Sequence, residues 1–135
     1  MKKAGFSELV DAIVAADARY DREAYLFVKN ALDFTAKQKK KKETGSLHVT
    51  GQELLEGVRQ YALKEYGPMV MTVFAYWRLR SCEDIGEIVF RLIRAEAFRK
   101  TDEDSLDHFK NGFSFQAAFV EPFLPSLGEP VEKPG

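Results

Sequence analysis

From Pro68 to Trp77 the chain reads Pro-Met-Val-Met-Thr-Val-Phe-Ala-Tyr-Trp, apolar at almost every position. A helix with no polar face has to be covered on most sides by its neighbours. Gly67-Pro68 sets its start, because proline suits the first helical turn and glycine ends the helix before it. The run is about half the ~20 residues that a membrane span requires. It is therefore expected to be a buried core helix, and the rest of the chain has to supply amphipathic elements to wrap it.

Those elements are visible as helical spacing. Ser7 to about Ala18 carries Leu9, Val10, Ile13, Val14 and Ala16, with Ser7 as N-cap and Glu8 favouring the positive end of the dipole. A second helix opens at Asp21, where Tyr20 and Tyr25 hold the positions of a hydrophobic staple. Its stripe is Ala24, Tyr25, Val28, Ala31, Leu32 and Thr35, widened by Phe27 and Phe34. The two helices can also be drawn as one, bent near Tyr20.

Thr50-Gly51-Gln52-Glu53 fits a capping box ahead of Leu54, Leu55, Val58, Tyr61, Ala62 and Tyr66. Gly57 in mid-helix costs about 1 kcal/mol relative to alanine, which predicts a close approach by another backbone. Ser81 and Asp84 give a further Ser-x-x-Asp start, followed by Ile85, Ile88, Val89, Leu92 and Ile93 facing inward and a Glu87–Arg91 pair facing outward.

Elsewhere the pattern breaks. Lys37, Lys39, Lys40, Lys41 and Lys42 repel one another ahead of Thr44-Gly45-Ser46, which predicts an exposed loop over 37–46. Leu47-His48-Val49 and Phe98 to Thr101 suit short strands. His108 to Phe115 reads as two strands around an Asn111-Gly112 turn, or else Ser114 caps a short helix from Phe115 to Val120. The tail from Pro122 holds four of the five prolines and is expected to be a loose arm over 122–135. The chain is thus one helical domain over 1–121 with a small β-hairpin element.

Charge and cysteine usage narrow the function. The net charge is −1, against the basic excess usual for a chain that lives on nucleic acid, although a local patch can still bind. Cys82 is the one cysteine, so no intrachain disulfide forms. Glu8 and Asp11 interrupt what would be the apolar stretch of a signal peptide. These features indicate a cytoplasmic protein that does not enter a membrane.

Catalytic and metal motifs fail one by one. Neither phosphate-loop pattern occurs, nor G-x-S-x-G, nor H-E-x-x-H. His48, His108 and Cys82 match no zinc spacing. Counted from Asp102 with Asp104 and Asp107, the sixth and twelfth positions of a calcium loop hold Asp107 and Phe113 rather than Gly and Glu. Cys82 lies at a helix start, but Glu83 and Asp84 oppose a thiolate there. No cofactor and no metal is expected. The candidates left are basic side chains for phosphates (Lys37, Lys39, Lys40, Lys41, Lys42, Arg94, Arg99 and Lys100) and an aromatic set for a protein partner (Phe109, Phe113, Phe115, Phe119 and Phe123), which otherwise closes the core.

The order of helix, short helix, helix and hairpin-like residues over 50–115 resembles a winged helix. The local likeness lies in Ser81-Cys82-Glu83-Asp84-Ile85-Gly86-Glu87-Ile88-Val89-Phe90-Arg91-Leu92-Ile93, then Arg94 to Thr101. The resemblance implies a nucleic-acid-binding regulator, yet a base-reading helix wants Arg, Lys, Asn or Gln where Glu83, Asp84 and Glu87 stand. The whole chain is similar to a family of small bacterial proteins without an assigned activity, in Arg19 to Val28, His48 to Gly57 and Gly86 to Phe90. That similarity implies a bacterial origin and no catalytic residues. The function expected is a non-enzymatic module docking on a protein or nucleoprotein partner, or associating with itself. The alternatives are a small nucleic-acid-binding protein and, after it, an enzyme built from His48, Cys82 and His108.

Overall fold

A computed structural model describes residues 5–42, 49–98, 109 and 112–125. The elements are α1 (Phe6–Ala16), α2 (Arg22–Lys42), α3 (Gly51–Tyr66), a 3-10 turn (Gly67–Met69), α4 (Val70–Trp77), α5 (Cys82–Arg94), α6 (Phe115–Phe119) and a second 3-10 turn (Glu121–Phe123). Among the described residues there is no strand. The mainly helical expectation holds. Phe113 and Ser114 are irregular and Phe115 is helical, so the second strand of the expected hairpin is absent. Ser114 instead caps α6, its hydroxyl accepting from the Ala117 N–H at 3.2 Å. Leu47, His48, His108 and the residues from Arg99 to Thr101 lie outside the described residues.

The chain is organised around α2, which packs chiefly on α3 and also meets α1, α4 and α5. Asp21 starts it, accepting from the Glu23 N–H at 2.9 Å. The Tyr20–Tyr25 staple forms, both rings buried and edge to face at 6.4 Å. α1 and α2 are separate helices. α1 begins a residue before Ser7: the Gly5 N–H donates to Glu8 at 2.8 Å, while the Ser7 hydroxyl accepts from Arg22. The capping box of α3 is complete, with Glu53 N–H to Thr50 at 3.1 Å and Thr50 N–H to Glu53 at 2.9 Å.

Gly57 explains how α2 and α3 come so close. A Cβ built on it would lie 1.7 Å from the Thr35 Oγ1. Thr35 is the buried polar side chain of α2, and its hydroxyl is satisfied by the Ala31 carbonyl at 2.7 Å. The predicted close approach is real, and a side chain rather than bare backbone fills the space.

Three expectations are corrected. The lysine run is not a loop from Lys37: helix α2 continues through Lys42. Lysine is a good helix former, and cations suit the negative end of the dipole. Glu87–Arg91 does not face outward, because its guanidinium is drawn under the α1–α2 connection. Finally, α4 is not buried on most sides. Val70, Phe74 and Trp77 go inward, but Thr72, Ala75 and Tyr76 are exposed.

Arg78 ends α4 in the left-handed region at φ 68°. Its guanidinium donates to the carbonyls of Arg19 at 2.8 Å and Ala18 at 3.1 Å, which offsets the unfavourable backbone and ties α4 to the α1–α2 connection. Among the described residues, no helix is long and apolar enough to cross a membrane.

Candidate functional site

The basic candidates separate by helical phase. Lys37, Lys40 and Lys41, at i, i+3 and i+4, share the outward face of α2 and are exposed. Lys39 points the other way and pairs with Glu53 at 3.0 Å, clamping the end of α2 to the start of α3. Arg94, at the end of α5, is exposed, with Glu87 at 3.9 Å. Arg99 and Lys100 lie outside the described residues, and so does the side chain of Lys42.

The phenylalanines are mostly core. Phe109, Phe115 and Phe119 are buried and Phe113 is half-buried. Phe115 and Phe119 each lie 5.4 Å from the fully buried Phe74 ring, and Phe113 meets Phe115 at a tilt and Phe119 edge to face. Phe109 lies against α5 at Gly86, where an added Cβ would come within 2.7 Å of it. Of the five, only Phe123 stays exposed, beside exposed Leu124. Phe109, Phe113, Phe115 and Phe119 therefore close the core, and Phe123 alone of the set is left at the surface.

Two further large apolar residues are exposed elsewhere. Met69 at the start of α4 is 53% exposed and Tyr76 at its end is 76% exposed. With Thr72 between them they lie on one helix face. Local composition conceals this face, since inward and outward residues of α4 are equally apolar. Its signal lay in helical phase: 69, 72 and 76 alternate with 70, 74 and 77.

A second feature that local patterns do not show is a groove of about 450 Å³ between α2, the start of α3 and the end of α5. Leu32, Leu54, Val89, Ile93 and Phe98 line it, with Phe109 among them. Its charged groups, Lys29 and Asp33, neutralise each other at 2.9 Å. A smaller cavity of about 190 Å³ lies along the α2–α3 contact near Gln38, Glu53 and Gly57.

Arg91 gathers the main polar cluster. It donates to Glu87 and to Asp17, each at 3.1 Å, and its guanidinium stands 5.3 Å from the Tyr20 ring centre. The Tyr20 hydroxyl donates to Asp84 at 2.6 Å, and Asp84 also accepts from the Arg80 N–H at 2.7 Å. Burial works against the Arg91 charge, but hydrogen bonds to Glu87 and Tyr25 more than offset it and hold its pKa above the ordinary value. Burial, helped by the Asp84 bond, raises the Tyr20 phenol. Each charge here has a partner, and the cluster ties α5 to the α1–α2 connection.

Cys82 is buried and donates to the Phe113 carbonyl at 3.4 Å. Burial, with the Glu83 charge beside it, pushes the thiol up to about 11. It stays a thiol at neutral pH and is a poor nucleophile. His48, His108, Asp102, Asp104 and Asp107 lie outside the described residues, among which no cluster of metal-ligating side chains occurs. No family model matches this chain, and neither a curated protein nor a solved structure shows significant similarity to it.

Proposed function

We propose that the protein is a small interaction module that docks on a protein partner through the outer face of α4. The observation that carries this reading is Tyr76, three-quarters exposed on the same helix face as half-exposed Met69. A helix of this composition gains stability when its remaining face is covered, and tyrosine and methionine are favoured at interface centres. Phe123 and Leu124 add a second exposed apolar site. The buried, undissociated Cys82 supports docking over nucleophilic chemistry. A cytoplasmic place belongs to the same proposal, supported by a free thiol kept in the core.

The test puts a photo-crosslinking residue at position 76 of the tagged full chain, with a control at exposed Glu65 on α3. One stoichiometric, nuclease-resistant partner captured from native lysate at 76 but not at 65, and lost in Met69→Glu, is the expected result. A captured second copy of the chain assigns the face to self-association. Equal capture at both positions, or none at either, overturns the proposal.

The winged-helix alternative is supported by the order α3, short α4, α5. It is opposed by the first turns of α5, where Glu83 is exposed and Asp84 is committed to Tyr20 and Arg80. A nucleic-acid contact has to come from another face.

A further inference from the structure

We infer that the end of α2 is a phosphate-binding face that contacts the backbone of nucleic acid through Lys37, Lys40 and Lys41, without reading sequence. The inference goes beyond the α4 docking reading and does not depend on it.

In a loop a lysine run is merely solvated, but here these lysines lie in helix α2. In the helix their positions are fixed: three ammonium stems leave one face within about 6 Å of axis, at 1.5 Å per residue. Like charges at i, i+3 and i+4 destabilise a helix. Two acidic groups of the described residues near this end of α2 are already engaged, Asp33 by Lys29 and Glu53 by Lys39. Among the described residues, Lys37, Lys40 and Lys41 have no ion-pair partner. The helix dipole explains only part of the charge, because it places roughly half a unit of negative charge at this end. An external polyanion supplies the rest.

The chemistry favours phosphates over the alternatives. The run is all lysine and no arginine, so it offers flexible point charges that suit phosphate oxygens, not the planar fork that suits carboxylates. A membrane-surface helix would add apolar side chains that enter the bilayer. Here the apolar face of α2 is committed to the core, and none of the exposed large hydrophobic residues lies on it. The overall charge of −1 makes the contact local, so affinity is modest and strongly salt-dependent.

The test is fluorescence anisotropy of the full-length protein with a short labelled DNA duplex and RNA strand of mixed sequence. Sedimentation with anionic phospholipid vesicles runs in parallel. With three phosphates neutralised, binding should weaken about 40-fold for the duplex and about 20-fold for the single strand between about 50 and 200 mM salt. Lys37→Gln/Lys40→Gln/Lys41→Gln, which keeps good helix formers, should lower affinity at least tenfold and flatten the salt dependence, with the far-ultraviolet circular dichroism unchanged. Arg59→Gln, on α3, should leave binding as it is. No binding at low salt, binding indifferent to the triple substitution, or tighter binding to vesicles than to either nucleic acid overturns the inference.

Discussion

The C-terminal phenylalanines and the outer face of α4 are both apolar, and the structure treats them in opposite ways. Phe115 and Phe119 disappear against Phe74, whereas Tyr76 on the same helix and Met69 at its N-cap are exposed. Composition points the other way, to a solid apolar helix at 68–77 that needs covering and a scattered aromatic set near a proline-rich end. The difference lies in how many sides each has to hide. α6 is a five-residue helix that places Phe115 and Phe119 on one face. α4 is apolar all round, and one domain of this size covers only one side of it. Surplus hydrophobicity, rather than hydrophobicity itself, is what the proposed docking on α4 rests on.

The largest effect should come from the point where the two regions meet. Phe74→Ala removes a fully buried ring with aromatic contacts to Phe27, Trp77, Phe115 and Phe119. It should lower the free energy of unfolding by about 3–5 kcal/mol, read by urea denaturation. A loss under about 1 kcal/mol would mean that the C-terminal aromatics do not belong to the core. Gly57→Ala should cost about 1–3 kcal/mol through its collision with Thr35. Thr35→Ala in the same chain should recover part of that loss by removing Oγ1, whereas Thr35→Ser should not.

The helices were largely legible because their signals are local. The Thr50 capping box, the Tyr20–Tyr25 staple and the Gly57 contact depend on residues a few positions apart or on one missing side chain. The lysine run reads as a loop on self-repulsion alone, and the dipole, the helix propensity of lysine and the Lys39–Glu53 clamp outweigh that repulsion. Helical spacing puts Arg91 outward, because its partner Asp17 is 74 residues away and leaves no periodic trace. Helical phase separates 69, 72 and 76 from 70, 74 and 77, but it does not say which side of α4 is covered when neither side is charged.

Thiol chemistry separates the two regions by rate. Cys82 lies beside Phe113 in the core, and Tyr76→Cys in a Cys82→Ala background puts a thiol on the α4 face. At about pH 8 the introduced thiol should react with a disulfide reagent at the rate of a free thiol, and Cys82 only as fast as the protein opens. The folded state raises the Cys82 pKa from 9.0 to about 11, so it favours the protonated form. That contribution to stability is fully present below the unfolded value and is lost as pH rises through the folded one. At the acid end the sign reverses. Hydrogen bonding to the Thr50 N–H and the Lys39 pair lower the Glu53 pKa, so its contribution is present above the unfolded value and lost as pH falls through the folded one. Glu53→Gln should flatten the acid limb of a stability–pH curve and leave the alkaline limb unchanged.

The smallest effect on stability is the most informative for function. Tyr76→Ser and Met69→Ser touch the exposed face alone, so each should change the unfolding free energy by no more than about 0.5 kcal/mol. A larger loss in the isolated chain would show that these side chains pack internally, and the surplus assigned to α4 would vanish. If stability holds while cross-linking from a neighbouring exposed position, such as Thr72, disappears, then α4 is an ordinary core helix on one side and an interface on the other. The two faces of eight residues would then divide folding from recognition, with Phe74 indispensable to the first and Tyr76 to the second.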